Sequence, residues 1–145
     1  MIDISIGLTG AEEFKRKLGI TVHELQNLQP IFDGPIKNYL IEQMKQQFGS
    51  EGAYGGAPWK TTSAPYTRMK QRTKGHRRIG ELSGKMKRSI LMGSNYKTTK
   101  TSLSYGTSVP YAKYFNNKRR IFEMTAGQKK ALVTIIQREI LKNYK

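Results

Sequence analysis

Residues 80–122 read GELSGKMKRSILMGSNYKTTKTSLSYGTSVPYAKYFNNKRRIF, and their pattern predicts the central elements of the fold. A glycine-flanked turn precedes a short helix through Lys85–Ser89, which leads into an extended run at Ile90–Tyr96. The polar stretch Lys97–Thr101 supplies a turn, so the sequence predicts a β-hairpin or meander across Ser89–Val109. Alternating side chains in the second arm predict one buried strand face. These side chains are Leu103, Tyr105, Thr107 and Val109.

A corner follows this second arm. Proline restricts the residue before it to extended backbone, so Val109-Pro110 predicts a turn at the end of the strand. Tyr111–Phe115 fits one or two helical turns, and Ile121-Phe122 returns the chain to the core.

A capping box predicts the start of the last helix. Thr125 and Gln128 have its spacing, in which each side chain hydrogen-bonds the backbone N–H of the other residue. The helix then runs over roughly 126–144, with apolar residues at helical intervals. Its apolar side consists of Leu132, Val133, Ile136, Ile140 and Tyr144.

The N-terminal residues predict a strand followed by two short helices. Residues 2–8 alternate apolar and polar side chains, which is the period of a half-buried strand. Thr-x-x-Glu at 9–12 and again at 21–24 has capping-box spacing, and Pro30 interrupts the second helix because it lacks an N–H donor. The apolar residues of these elements are Ile2, Ile4, Ile6, Leu8, Phe14, Leu18, Val22, Leu25 and Leu28.

A longer helix follows these short elements. Asp33-Gly34-Pro35 predicts its start, since proline is tolerated in a first helical turn, and Gly49 predicts its end. The apolar residues between them fall on one stripe, which we interpret as core packing and not as a ligand site. They are Ile36, Tyr39, Leu40, Met44 and Phe48.

Residues 49–80 predict a long loop, because glycine and proline recur there without sustained periodicity. A short helix around Tyr66–Arg72 is the one element expected inside it. Loops of this length in a compact domain are usually functional or disordered. Trp59 is the only tryptophan of the chain, and we expect it to pack down and anchor the loop. The alternative is an exposed ring that stacks on a nucleic-acid base.

These elements predict a single α+β domain with a small antiparallel sheet or hairpin packed against N-terminal and C-terminal helices. A chain of 145 residues is long enough for one core. We divide it into an N-terminal strand and helices (1–48), a long basic loop (49–80), the β-hairpin and corner (81–122) and the C-terminal helix (123–145).

Composition excludes several classes of protein. There are no cysteines, so disulfides and thiolate metal sites are excluded. No apolar run approaches ~18 residues, so no membrane-spanning helix is predicted. The first residues lack the apolar run of a signal peptide, so we expect the protein to stay in the cytoplasm in which it is made.

The positive charge of +16 is concentrated in one part of the chain. Residues 68–120 hold 15 basic residues and one acidic residue, whereas residues 1–67 hold 6 basic and 7 acidic ones. A block of this kind repels itself and indicates a polyanion or an acidic protein surface nearby. The alternative is a solvated basic face.

Residues for catalysis are sparse. His23 and His76 are far apart in sequence, and Glu81 has no second carboxylate near it to form an acid–base pair. Gly80–Lys85 resembles a phosphate-binding loop only faintly, because it is one residue short. Met86 also replaces the Ser or Thr that would hold magnesium. We therefore predict neither an enzyme nor a bound cofactor.

Nucleic-acid binding without sequence specificity fits the composition better. Basic side chains would contact phosphates, aromatic rings would stack on bases, and binding would weaken steeply with salt. No zinc finger, basic zipper or other reading motif is present. The candidate phosphate contacts are Arg68, Lys70, Arg72, Lys74, Arg77, Arg78, Lys85, Lys87 and Arg88, and the candidate stacking rings are Tyr54, Trp59, Tyr66 and Tyr96.

Four short blocks add a family likeness. They are Phe48–Trp59 (Phe, Glu-Gly, Gly-Gly and Trp), Leu82–Ile90, Gly106–Ala112 and Arg119–Phe122. In this order they resemble the F-x-x-E-G…G-x-x-W, L-x-x-T-G-x-L-x-x-S-I, G-T-x-V-x-Y-A and P-x-R-x-F-L segments of the phage virion-morphogenesis family. That family includes the Mu-type virion protein and P2-like tail-completion proteins.

The resemblance implies an α+β subunit that forms a homo-oligomeric ring at the neck or tail top of a tailed phage. By family likeness the ring is expected to be a hexamer. Such proteins complete the tail or join it to the head, and genomic DNA passes through the ring. Its neighbours would be the head–tail connector or adaptor and the tail terminator or tail-tube proteins. The protein would be structural, made in the host cytoplasm and located in the virion.

In such a ring, the basic residues would face the DNA channel or an acidic neighbouring ring. A second cluster, Lys118-Arg119-Arg120, joins the phosphate-contact candidates there. The alternative function is a stand-alone DNA- or RNA-binding protein, and the third is an enzyme of nucleic-acid processing.

Overall fold

The computed structural model describes residues 2–7, 27–76, 78–79, 81 and 84–142. Within them the chain has an α+β fold, as the sequence predicts, with a small antiparallel sheet beside helices. The interior is one cluster of buried apolar side chains contributed by the helices and by the central strand.

The sheet has three strands: β1 (Ile2–Gly7), β2 (Lys97–Thr98) and β3 (Ser102–Thr107). Their order is β1-β3-β2, and both pairings are antiparallel. The predicted N-terminal strand is confirmed. The predicted alternation is also confirmed for Leu103, Tyr105 and Thr107, which are buried, whereas Val109 lies beyond β3 and is half-buried.

The predicted first arm of the hairpin is wrong. Ile90 belongs to helix α4 (Lys85–Leu91), and residues 92–95 form turns. Met86 and Ile90 lie one helical turn apart and are both buried, so core packing favours a helix there. The partner of β3 is instead β2, which lies inside the stretch predicted as a turn.

The long helix begins earlier than predicted. Short helix α1 (Gln29–Ile31), a π-helical turn (Phe32–Ile36) and helix α2 (Lys37–Gly49) follow one another without a break. Pro30 lies in the first turn of α1, where its missing N–H has no intrahelical acceptor to lose, and Leu28 before it is outside any helix. Most of the second short helix predicted before Pro30 lies outside the described residues. The π-helical turn contains Pro35, so Asp33-Gly34-Pro35 widens the helix and does not start it.

The predicted stripe on this helix is core, and its predicted end at Gly49 is confirmed. Four of its residues are buried, whereas Tyr39 is half-buried and its hydroxyl donates to the Gln128 carbonyl at 2.9 Å. The buried members are Ile36, Leu40, Met44 and Phe48.

Residues 49–80 contain more structure than a loop. A 3₁₀ turn forms at Ala53–Gly55, and helix α3 spans Ala64–Lys74. Helix α3 confirms the short helix predicted around Tyr66–Arg72 and extends it at both ends. Pro65 lies in its first turn, where proline is favourable.

Two helices complete the chain. Helix α5 (Ala112–Arg119) lengthens the turns predicted after the corner, and helix α6 spans Ala126–Lys142. Gln128 Oε1 accepts from the Thr125 N–H at 2.7 Å, and Thr125 Oγ1 accepts from the Gln128 N–H at 3.2 Å, which confirms the capping box.

The buried side of α6 is narrower than predicted. Leu132, Ile136 and Ile140 are buried at intervals of four residues. Val133 is 46% exposed, because a single residue step rotates its side chain about 100° away from that stripe.

Some predictions fall on parts of the chain outside the described residues. They include the capping boxes at 9–12 and 21–24, the side chains of the first strand, and Tyr144. Among the helices that the structure does describe, none is long and apolar enough to cross a membrane.

Candidate functional site

Residues 50–79, called here the basic segment, are fixed to the rest of the fold by Trp59. Its side chain is only 4% exposed and meets the rings of Phe48 and Phe115 edge-on, at centroid distances of 5.3 and 5.2 Å. Edge-on aromatic pairs are favourable beyond the area they bury. The anchoring role predicted for Trp59 therefore has a structural basis, and its ring is not available to stack on a base.

Gly52 makes room for this ring. Its φ is +93°, a backbone conformation that favours glycine, and a Cβ there would lie 2.3 Å from Trp59 Cδ1. The backbone closes around the same point, since the Trp59 N–H donates to the Glu51 carbonyl at 2.7 Å. The Glu-Gly…Trp pattern thus describes one packed unit.

The two ends of the basic segment are joined by charged side chains. Glu51 Oε1 accepts from the Ile79 N–H at 2.8 Å. From the other end, Arg78 Nη2 donates to the carbonyls of Gly49 at 3.3 Å and Phe48 at 3.5 Å. Hydrogen bonds to charged groups contribute more than neutral ones, at about 1.5–3 kcal/mol each when shielded from water.

Lys70 is the buried residue of helix α3. It is 1% exposed, its Nζ donates to the Arg78 carbonyl, and it lies 5.7 Å from the centroid of the Tyr66 ring. Burial lowers the pKa of Lys70 below its ordinary value, and the carboxylates of Glu51 and Glu81 partly offset this effect. The prediction that Lys70 contacts phosphate is wrong, because its amine is enclosed by the protein.

Glu81 forms ion pairs with two further basic residues that were predicted to contact phosphates. Its Oε1 lies 2.9 Å from Lys87 Nζ and 3.4 Å from Arg78 Nε. The acid is mostly covered, with 14% of its side chain exposed, so these pairs are less screened than surface ones. Part of the positive block therefore stabilises the fold itself.

Other predicted basic residues lie at the surface. Arg68, Arg72 and Lys74 are exposed along helix α3, and Arg72 and Lys74 occupy its last turn. Lys85 and Arg88 are exposed on helix α4, and Lys118 is exposed on helix α5. Arg120 is exposed and pairs with Glu123 at 3.2 Å. Arg77 lies outside the described residues.

Two of the four predicted stacking rings are exposed, and the other two are partly or fully covered by the protein. Tyr54 and Tyr66 are exposed, although the Tyr54 hydroxyl already accepts from Gln43 Nε2 at 3.2 Å. Tyr96 is half-buried, and its hydroxyl donates to the Phe32 carbonyl. Burial raises the pKa of the Tyr96 phenol. Tyr96 and Trp59 are therefore part of the interior.

A groove of about 830 Å³ lies where the basic segment meets helix α5. Arg119 bridges the two walls, because its Nε donates to the Lys60 carbonyl at 2.9 Å. Its guanidinium also lies 4.9 Å from the centroid of the Phe115 ring. The groove is lined by Lys60, Thr61, Thr62, Ser63, Tyr66, Met86, Tyr111, Phe115, Lys118 and Arg119.

The sequence interpretation placed Lys118 and Arg119 in a charge cluster but missed this groove. Lys60 precedes the basic block, and the sequence predicts only one or two helical turns for Tyr111–Phe115. The spacing of Tyr111 and Phe115 does put them on one face of a helix, and that was the signal available. Their approach to Lys60 depends on the long-range packing of Trp59 against Phe115.

The described residues offer little for metal chemistry. No group of three or more His, Cys, Asp or Glu side chains lies close enough to hold a metal ion in that part of the chain. The arrangement suits binding through charge and apolar contact.

Comparisons with family models, with curated proteins and with solved structures gave no match. The resemblance to the phage virion-morphogenesis family stays a prediction from the motif residues.

Proposed function

We propose that this protein is a structural subunit of a tailed-phage virion that completes the tail or joins it to the head as part of a ring around the DNA channel. In this role the subunit binds copies of itself and the neighbouring connector, terminator or tail-tube proteins. It has no catalytic step.

One observation carries the proposal: motif residues that are separated in sequence lie in contact with one another or with a residue next to a motif block. Phe48 and Trp59 of the first block pack together, and Arg119 of the fourth block reaches the carbonyl next to Trp59. Ser89 of the second block and Thr107 of the third share a hydrogen bond of 2.9 Å between their hydroxyls. Residues that resemble a family signature are expected to meet in this way if the signature describes a fold.

The distribution of charge also supports the proposal. Arg68, Arg72 and Lys74 are exposed on helix α3, which buries one residue, Lys70, and so leaves most of its surface open. A basic surface of this kind suits DNA in transit or an acidic neighbouring ring, because attraction to phosphate does not depend on sequence.

The direct test is deletion of the gene from a phage genome that carries it. We expect filled heads and separate tails in place of joined particles, and we expect a plasmid copy of the gene to restore joining. Electron microscopy of the lysate gives the readout. Normal joined particles after deletion would contradict the proposal.

A stand-alone DNA- or RNA-binding protein is the second candidate, and the exposed basic residues of α3 beside Tyr66 favour it. It predicts saturable binding to a duplex or single strand that weakens by about 10³-fold or more between 50 and 200 mM salt, if six or more phosphates are contacted. Unsaturable binding at every salt concentration would exclude it. Fluorescence anisotropy with a labelled oligonucleotide measures both properties.

A further inference from the structure

We propose that the groove between the basic segment and helix α5 binds an acidic peptide segment that carries an apolar side chain. The assignment of this peptide to a neighbouring virion protein rests on the proposed function. The binding chemistry itself rests on the groove.

The floor of the groove is apolar. Met86 is almost completely buried at its base, and the Phe115 ring is half-buried beside it. Tyr66 and Tyr111 line the same space and remain exposed. A volume of about 830 Å³ is within the range of sites that enclose a ligand, so the groove can take a side chain and the backbone next to it.

The rim of the groove is positively charged. Lys60 and Lys118 are exposed, Arg119 is half-buried, and none of the ten lining residues is acidic. The contacts of Arg119 with the Lys60 carbonyl and the Phe115 ring hold its charge at the edge of the apolar floor. Complementarity then favours carboxylates at the rim and an apolar side chain between them.

This combination argues against the other occupants. Duplex DNA presents phosphates at its surface and has no side chain to cover Met86 and Phe115. A second copy of the chain holds 10 acidic residues against 26 basic ones, so it offers few carboxylates to this rim. A single-stranded nucleic acid would use the tyrosine rings, and the experiment distinguishes it from a peptide.

The experiment uses the full chain and three fluorescent probes in anisotropy titrations. The first is the peptide Glu-Glu-Phe-Asp-Glu-Leu-Glu, the second is a peptide of seven glutamates, and the third is a single strand of twelve thymidines. We expect saturable binding of the first probe. We expect weaker binding of the second by about tenfold, because it lacks the apolar side chains.

Matched variants locate the binding. Lys118→Glu reverses a charge on the rim, whereas Lys113→Glu reverses an exposed charge on the same helix α5 outside the groove. We expect Lys118→Glu to weaken binding of the first peptide by about tenfold or more and Lys113→Glu to leave it within about twofold. Thr61→Trp fills the groove and should also weaken binding, and circular dichroism checks that each variant is folded.

Three outcomes would overturn the proposal. One is the absence of saturable binding by the first peptide, and another is an equal loss with Lys113→Glu and Lys118→Glu, which would indicate diffuse charge attraction. The third is binding of the thymidine strand in place of the peptide with the same dependence on Lys118. The titrations do not measure the joining of heads and tails, which is tested by gene deletion. Failure of the groove proposal is therefore distinguishable from failure of the proposed function.

Discussion

Two regions of this molecule are held together by different forces. The frame, residues 29–49 and 85–142, buries a continuous apolar cluster that includes Phe32, Leu40 and Tyr105. The basic segment, residues 50–79, buries few large side chains, and those in its described part are Trp59, Lys70 and Ile79. It is otherwise fastened through charged hydrogen bonds of Glu51, Lys70 and Arg78.

The difference shows that part of the positive charge is structural. Charged hydrogen bonds fix the basic segment without requiring a large apolar surface, so the outer face of α3 stays free for polar contacts. Segments with few buried apolar contacts open at a lower free energy than the core around them. The comparison therefore predicts a stable frame and a basic segment that opens separately.

The largest effect is expected from the frame. Phe48→Ala removes a buried ring that packs against Trp59, and it should lower the free energy of unfolding by about 3–5 kcal/mol. Met69→Ala on α3 removes a side chain that is partly exposed and should change it by less than about 0.5 kcal/mol. Urea denaturation measures both. Similar losses for the two variants would remove the distinction between the regions.

Lys70→Ala tests the fastening of the basic segment. It leaves the Arg78 carbonyl without this donor and should cost about 1–3 kcal/mol in the stability of that segment. Trypsin cleavage within α3 should accelerate more than cleavage within α2. Arg68→Ala, an exposed change on the same helix, is the control and should leave cleavage elsewhere in α3 unchanged.

Thr125→Ala removes half of the capping box of α6. The Gln128 N–H then loses its acceptor, and the free energy of unfolding should fall by about 1 kcal/mol. Thr134→Ala, an exposed change within the same helix, is the control because it leaves both capping bonds in place. An equal loss of stability in the two variants would mean that the capping box does not support the frame.

The smallest effect concerns Tyr105, whose hydroxyl donates to the Ile90 carbonyl at 2.7 Å. Tyr105→Phe should cost about 0.5–1.5 kcal/mol at pH 8. Burial raises the pKa of Tyr105 above its ordinary value of 10.0, so the folded protein keeps a proton that the unfolded chain loses above pH 10. Stability is therefore fully present below pH 10 and falls as the pH rises.

The variant should lose stability less steeply than the wild type as the pH rises above 10. Tyr114→Phe is the control, since Tyr114 is exposed. Thermal denaturation at several pH values measures the slopes. Identical slopes for Tyr105→Phe and the wild type would contradict the role of this phenol.

Local patterns in the sequence predicted elements that depend on nearby residues. The capping box at Thr125, the alternation from Leu103 to Thr107, and the helix in the middle of the basic segment are of this kind. The prediction at Ile90–Tyr96 is wrong for a tertiary reason. The burial of Met86 with Ile90 favours a helix where a strand was predicted.

The site was harder to predict, because a charged residue in a sequence does not show whether its side chain faces solvent or the interior. Arg68 and Lys70 are two residues apart on one helix, yet one is exposed and the other is buried. The Nζ of the buried Lys70 donates a hydrogen bond to the Arg78 carbonyl, and that approach depends on the long-range closure between Glu51 and Ile79. The groove at Lys60 and Phe115 depends on the long-range packing of Trp59 against Phe115.

Hydrogen exchange followed by mass spectrometry tests the central claim that the basic segment is fastened separately from the frame. The amides of helix α3 should exchange at a lower opening free energy than those of α2. Lys70→Ala should accelerate exchange in α3 and leave α2 unchanged. Exchange of α2 and α3 at one common free energy, shifted together by Lys70→Ala, would contradict the account.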